Sequence, residues 1–218
     1  MVVIPVNIDF RKYPVVLPFD MAKMLIEQSS CMSLARVCAC RDRRECKKHS
    51  KELSCIYLGP GSKDIVKNGS AKEICKEDAL SRLNLAKEEG LVSMVIWSSA
   101  ELRQPGVDTG RTLELCSCCS CCCIPYRTEN MSRAYIDDIV GLGAANVASP
   151  EKCAGCKICE AMCPFKAIKA DGDGPVINAD RCKGCGVCEK VCKAGSIEII
   201  PYPELRDEYS TLLLSVIR

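Results

Sequence analysis

Apolar side chains recur at helical spacing in three stretches of the chain. The first, over residues 19–37, carries its apolar positions on one side: Phe19, Met21, Met24, Leu25, Leu34 and Val37. The second begins at the capping-box pattern Ser70-Ala71-Lys72-Glu73 and ends at Gly90. The third, residues 204–217, has an apolar side that we expect to pack on the protein or on a partner: Leu205, Tyr209, Leu212, Leu213 and Val216. These patterns predict three amphipathic helices.

The segments between these helices have shorter patterns. Residues 91–97 are apolar except for Ser93 and are predicted to be a buried strand. Residues 60–69 and 105–110 begin with proline and end with glycine, so we expect loops there. A further helix is predicted over 133–141, and Ser149-Pro150 marks a boundary after it.

Composition and charge exclude several classes of protein. The chain has 218 residues, 20 of them cysteine, and a net charge of +2, which favours neither nucleic acid nor membrane surfaces as partners. No apolar stretch is long enough to span a bilayer. Residues 1–16 lack the apolar segment of a secretion signal. We therefore expect a cytoplasmic protein with reduced cysteines.

Eight of the cysteines form two runs with the same spacing, 29 residues apart. They are Cys153-x2-Cys156-x2-Cys159-x3-Cys163 and Cys182-x2-Cys185-x2-Cys188-x3-Cys192. Other positions also match at this offset, including Gly155 with Gly184 and Glu160 with Glu189. An internal duplication with pseudo-two-fold symmetry is predicted.

This spacing is that of two 4Fe–4S clusters in which the fourth cysteine of each run binds the other cluster. One ligand set is then Cys153, Cys156, Cys159 and Cys192, and the other is Cys163, Cys182, Cys185 and Cys188. The alternatives are two zinc knuckles or a disulfide knot. Zinc sites usually pair C-x2-C units across a longer gap, whereas here three cysteines share each loop.

Residues 150–200 resemble the bacterial-type two-cluster ferredoxins on the strength of these runs. The resemblance implies a small domain of hairpins and short helices that transfers single electrons. One position departs from the family pattern, in which proline follows the last cysteine of both runs. Pro164 follows Cys163, but Lys193 follows Cys192. This difference affects the surroundings of the cluster held by Cys192 and removes no ligand.

Ten of the other twelve cysteines fall into two groups. Cys38, Cys40, Cys46 and Cys55 form one, and the second has six cysteines within residues 116–123. Thiolates at this density favour a soft metal, above all an iron–sulfur cluster. The predicted ligands of this extra cluster are Cys38, Cys40, Cys46, Cys55, Cys118, Cys119, Cys122 and Cys123. Structural zinc and free redox-active thiols are the alternatives. Arg41 and Arg127 flank the groups and can offset the charge of a cluster.

The same segments resemble those of a family of uncharacterised 4Fe–4S proteins from anaerobes. Its members place a C-x-C-R segment and a C-x-C-C-x-C-C segment ahead of a two-cluster ferredoxin. Here these segments are Cys38-Ala39-Cys40-Arg41 and Cys116-Ser117-Cys118-Cys119-Ser120-Cys121-Cys122. The resemblance covers nearly the whole chain and implies no particular activity.

Together these features predict an α+β protein. A mostly helical, cysteine-rich domain with a short sheet covers residues 1–130, and a helix and linker cover 131–150. A dicluster ferredoxin-like domain covers 151–200, followed by an amphipathic C-terminal tail over 201–218.

The leading functional hypothesis is an electron-transfer protein. It would relay electrons between donor and acceptor proteins of an oxidoreductase complex, and no catalytic residue is assigned. A second hypothesis is a redox enzyme. The adjacent pairs Cys118-Cys119 and Cys122-Cys123 are similar to paired cysteines of heterodisulfide reductases, although Ser120 stands where that family has glycine. A third is a cluster-assembly or metal-delivery factor.

Overall fold

A sheet of seven strands organises the first part of the chain, within the residues that the structure describes. The structure is a computed structural model and describes residues 13–97, 99–123, 137–171 and 174–218. The strands are β1 (Val15–Val16), β2 (Met32–Ala35), β3 (Ile56–Leu58), β4 (Ala71–Glu73), β5 (Val92–Ile96), β6 (Leu113–Cys118) and β7 (Val140–Gly141). Their order is β4-β2-β3-β6-β5-β1-β7, and all pairs are antiparallel except β1 with β7. The central strands β3 and β6 therefore pair with a neighbouring strand along both edges.

Three longer helices cover one face of this sheet. The helices of the described residues are α1 (Phe19–Gln28), α2 (Ala39–Arg43), α3 (Ser62–Lys67), α4 (Lys76–Glu88), α5 (Ile158–Met162), α6 (Val187–Val191) and α7 (Pro203–Ile217). α1, α4 and α7 bury Leu25, Leu83 and Leu213 in one apolar core with Leu115 of β6. On the opposite face, Tyr57 of β3 packs with Ile65 of α3. Since side chains alternate along a strand, Glu114, Cys116 and Cys118 lie on the side of β6 opposite Leu115.

The last helix returns to the beginning of the chain. α7 contacts α1 and β6, and its residues Tyr209, Leu213, Val216 and Ile217 are buried. The backbone N–H of Ser30 donates to the Ile217 carbonyl. The predicted amphipathic helix over 204–217 is confirmed, and its apolar side packs on the protein itself.

The ferredoxin-like part contains two antiparallel strand pairs and two short helices. β8 (Gly143–Val147) pairs with β11 (Ile197–Pro201), and β9 (Ile168–Asp171) pairs with β10 (Gly174–Ile177). The helices α5 and α6 contact each other, and each follows one loop of three cysteines. Lys190 of α6 donates to the carbonyls of Lys87 and Glu88 at the C-terminus of α4. This contact joins the ferredoxin-like part to the helices of the first part.

The α+β class and the strand over 91–97 are confirmed, whereas the sheet is larger than predicted. The helix expected over 19–37 ends at Gln28, because Ser29 turns extended and β2 then pairs with β3 and β4. Ser70–Glu73 does not cap a helix, since residues 71–73 form β4 and α4 begins after Cys75.

Two further predictions concern the connections. The segment 60–69, predicted to be a loop, contains α3. Of the predicted helix over 133–141, residues 133–136 lie outside the described residues, 137–138 are helical and 140–141 form β7.

Candidate metal centres

The two loops of three cysteines have the same backbone curl. Each contains residues in the left-handed region at matching places, 29 positions apart. The matched φ angles are 64° and 62° for Gly155 and Gly184, 58° and 79° for Lys157 and Gly186, and 53° and 64° for Lys166 and Gly195. Such angles favour glycine because a Cβ is crowded there. The first repeat has lysine instead of glycine at two of these places, Lys157 and Lys166. The sequence therefore did not indicate that the backbone is left-handed there.

The hydrogen bonds of the two repeats also match. Glu160 Oε2 accepts from the Ala170 N–H and Glu189 Oε1 accepts from the Ile199 N–H, both at 3.0 Å. These carboxylates tie α5 to β9 and α6 to β11. They give the matched glutamates of the sequence a structural role.

The last cysteine of each run accepts a backbone hydrogen bond from the turn that follows it. The Ala167 N–H lies 3.3 Å from Cys163 Sγ, and the Ser196 N–H lies 3.4 Å from Cys192 Sγ. Hydrogen bonds from Ser196 lower the pKa of Cys192. Amide donors near a sulfur stabilise a thiolate, the form that binds metal. Lys193, which stands in place of proline, is exposed.

The structure brings Cys163 to the second loop. Cys163, Cys182, Cys185 and Cys188 line one small cavity together with Phe165 and Ile168. Burial, together with the nearby Cys182 and Cys163, raises the pKa of Cys188 to about 12. The Ala145 N–H donates to Cys182 Sγ at 3.3 Å. Four thiols are the donor set of a 4Fe–4S cluster. These four cysteines are the crossed set that the spacing predicts, and their role as its ligands stays a prediction.

The first loop lies nearer the solvent. Cys156 is exposed, Cys153 is half-buried and Cys159 is buried. Burial raises the pKa of Cys159, and the proximity of Cys156 and Cys153 adds to this effect. The described contacts of Cys192 are with its own turn, so its place as fourth ligand of this set stays a prediction.

The N-terminal cysteines meet at the end of the central strands. Cys38 precedes α2, Cys40 lies within it and Cys46 follows it, while Cys55 comes directly before β3. β6 carries Cys116 and Cys118, and the chain then turns through residues 119–123. The strand order places these segments side by side, and three groups of metal-binding side chains result.

The first group contains four thiols. The sulfurs of Cys46, Cys119, Cys121 and Cys122 all lie within 4.8 Å of one another. Cys121 is exposed and Cys46 is half-buried, so this group reaches the surface. Three of these cysteines were predicted ligands. Cys121 was missed because the prediction selected only the adjacent pairs at 118–119 and 122–123.

The second group surrounds Cys123. Hydrogen bonds with Cys118, Cys119, Cys38 and Cys40 raise the pKa of the Cys123 thiol. Cys119 Sγ and Cys123 Sγ are 3.8 Å apart. Of the five other predicted ligands, Cys55 lies elsewhere and four lie here: Cys38, Cys40, Cys118 and Cys123.

The third group includes a carboxylate that sequence reasoning missed. Cys55 Sγ lies 2.9 Å from Cys116 Sγ, which lies 3.3 Å from Glu114 Oε1. Glu114 is 3% exposed, and burial raises its pKa to about 7. Alternation along β6 could have indicated that Glu114 and Cys116 share a face, but not that Cys55 stands opposite.

Arg41 is a buried cation among these thiols. It is 1% exposed and donates to the carbonyls of Ser50, Leu53 and Ser117. Burial alone would lower the pKa of Arg41, but contacts with Cys119 and Cys38 raise it above its usual value. The predicted charge-balancing role fits this position. Arg127 lies outside the described residues.

Comparison with known proteins identifies one part of the chain. Residues 150–196 match the model of a family described as the 4Fe-4S dicluster domain. No curated protein matches the chain. Residues 150–196 are thus a ferredoxin-type 4Fe–4S domain, and the chain has iron–sulfur cofactors. None of the helices in the described ranges has the length and apolar content needed to cross a membrane.

Proposed function

We propose that this protein is an iron–sulfur electron-transfer protein with two 4Fe–4S clusters and at least one further cluster. The match of residues 150–196 supports the first two, and the four-thiol group at Cys46, Cys119, Cys121 and Cys122 supports the third. Bound clusters of this kind carry single electrons. The residues of the chain hold them, exclude water and set the charge around them.

The observation that carries the proposal is a shared buried core. Cysteines of both ferredoxin runs and of the N-terminal groups pack in one apolar cluster, which includes Cys163, Cys188, Cys119 and Cys123. Burial keeps water away from the sulfurs and shortens the distance between the sites. An electron relay can have its sites buried in this way, because no substrate has to reach them.

The first ferredoxin loop is the proposed contact with a redox partner. Beside the exposed Cys156, Ile158 and Met162 are 42% and 47% exposed. Exposed apolar side chains surrounded by polar residues are typical of protein interfaces. The donor and acceptor proteins would dock here, close to the ligand set of Cys153, Cys156, Cys159 and Cys192.

A second candidate function is a redox enzyme that reduces disulfides. The observation in its favour is the exposure of Cys121, which lets small molecules reach the four-thiol group. A catalytic site there would change its absorption and EPR spectra on addition of a disulfide substrate. A relay would not. A cluster-assembly factor would instead lose iron from this group to an apo-protein acceptor.

The testing experiment is the iron and acid-labile sulfide content of anaerobically purified protein. We expect about 12 or more of each per chain, because each cubane holds four iron atoms. Cys46→Ser and Cys121→Ser should each lower both values by about four, since each removes one thiolate ligand. Cys75→Ser is the matched control because Cys75 only caps α4. A content of about eight in the wild-type protein would refute the further cluster.

A further inference from the structure

Three metal-binding side chains of the third group come from two neighbouring strands. Cys55 stands opposite Cys116, since Ile56 pairs with Leu115 in the antiparallel register of β3 and β6. Glu114 is two residues before Cys116 and so points to the same face. One donor atom from each residue lies within 4.8 Å of the others. The register of the sheet thus places Cys55, the residue directly before β3, against Glu114 and Cys116 of β6.

The group is buried, and its carboxylate is incompletely satisfied. Glu114 and Cys116 are 3% and 8% exposed. Glu114 Oε2 has no hydrogen-bond partner among the residues that the structure describes. A buried carboxylate is costly unless a cation or several donors compensate its charge. The Cys116 thiol donates to Oε1, and Ser99 and Cys55 also contact the carboxylate, while Oε2 has no hydrogen-bond partner in the described part of the chain.

We propose that Cys55, Glu114 and Cys116 bind one divalent cation of the zinc type, separate from the iron–sulfur sites. Two thiolates and a carboxylate are a donor set that Zn²⁺ accepts, with Zn–S of about 2.3 Å and Zn–O of about 2.0–2.2 Å. The carboxylate disfavours monovalent copper, which prefers sulfur donors only. Binding releases the two thiol protons to solvent, and the cation offsets two of the three negative charges of the two thiolates and the carboxylate, which leaves a net charge of −1.

The required adjustment is small. Two sulfurs on a tetrahedral zinc ion are about 3.8 Å apart. The present separation of 2.9 Å between Cys55 Sγ and Cys116 Sγ must therefore increase by about 0.9 Å. Glu114 Oε2 then becomes the third ligand, and a tetrahedral ion has its fourth position left for another donor.

The proposed site gives Cys55 a different role from the one that the sequence predicted. Cys55 was expected to bind the extra iron–sulfur cluster, and Cys116 was not expected to bind metal. The inference does not depend on the proposed electron transfer, because zinc has no redox chemistry. Zinc and iron can be measured in the same sample, so the two proposals fail separately.

The test is metal analysis of the anaerobically purified full chain and of three variants. We expect about one zinc per chain, in addition to iron and sulfide. In Cys55→Ser, Cys116→Ser and Glu114→Gln, zinc affinity should fall by at least about tenfold, the lower range for loss of a supporting residue. Iron and sulfide should stay unchanged. Cys75→Ser and Glu73→Gln, both exposed, are the matched controls.

A measurement on the wild-type protein keeps the inference testable if the variants do not fold. X-ray absorption at the zinc edge should show two sulfur neighbours at about 2.3 Å and oxygen neighbours near 2.0–2.2 Å. A shell of four sulfurs would overturn the assignment and place zinc in a four-thiol group. The absence of zinc, a loss of iron with sulfide in these variants, or a Cys55–Cys116 disulfide found by mass spectrometry would also overturn it.

Discussion

Gly155 and Gly184 occupy the same place in the two cysteine loops but have different neighbours. Their φ angles are 64° and 62°. A Cβ added at Gly155 would meet nothing within 4 Å, whereas one added at Gly184 would lie 2.4 Å from the Gly143 carbonyl oxygen. The second loop therefore touches the backbone that leads into β8. The first loop is open to solvent on that side.

This difference predicts unequal effects of the same substitution. Gly155→Ala should destabilise the protein by about 1 kcal/mol, the cost of an L-residue in the left-handed region. Gly184→Ala should cost about 1–3 kcal/mol more, because the backbone of the linker has to move. Thermal unfolding and iron content of the two variants check this. Equal losses of stability in the two variants would show that the contact of Gly184 with Gly143 does not contribute to stability.

Among the elements, two strands of the central sheet lie where the sequence pattern predicted a helix or a helix cap. Residues 32–35 carry the apolar spacing of a helix, but they lie between β3 and β4 and are buried on both faces. Residues 71–73 have a capping-box pattern and form an edge strand instead. In both cases pairing with distant segments outweighs local preference. α7 could be predicted because its apolar side chains lie on one side of the helix, where they pack on α1 and β6.

The packing of α7 gives the prediction at this scale. Leu213 of α7 is fully buried against α1 and the sheet. Leu213→Ala should therefore lower the free energy of unfolding by about 2–5 kcal/mol. Leu85→Ala in α4 is the control, because Leu85 is 46% exposed and should change stability by less than about 1 kcal/mol. Denaturant unfolding followed by circular dichroism measures both. Similar values would mean that α7 packs only loosely on α1.

For the whole molecule, the two kinds of cysteine site differ in what the sequence could reveal. Three ligands of each ferredoxin cluster come from one loop, so their spacing alone identified the domain. The N-terminal groups instead depend on how α2, β3 and β6 lie side by side. For this reason Cys121, Cys116 and Glu114 were missed, while Cys46, Cys119 and Cys122 were found without their correct partners.

Charge at the exposed face should control the reaction with electron donors. Lys157 and Lys166 are exposed beside the first cysteine loop, and Lys157 lies next to Cys156. A positive surface attracts anions and repels cations at low ionic strength. The double variant Lys157→Glu/Lys166→Glu should therefore be reduced a few-fold more slowly by the anionic dithionite radical. Reduction by the methyl viologen radical cation should become a few-fold faster.

Stopped-flow reduction at two salt concentrations measures this steering. Both effects should largely disappear at about 1 M salt, where the screening length is about 3 Å. Lys63→Glu/Lys72→Glu, which changes the same net charge on the exposed sides of α3 and β4, is the control. If the control variant changes the two rates equally, net charge alone is responsible. If neither variant changes them, electrons enter elsewhere, and the exposed four-thiol group with Cys121 becomes the entry site to test.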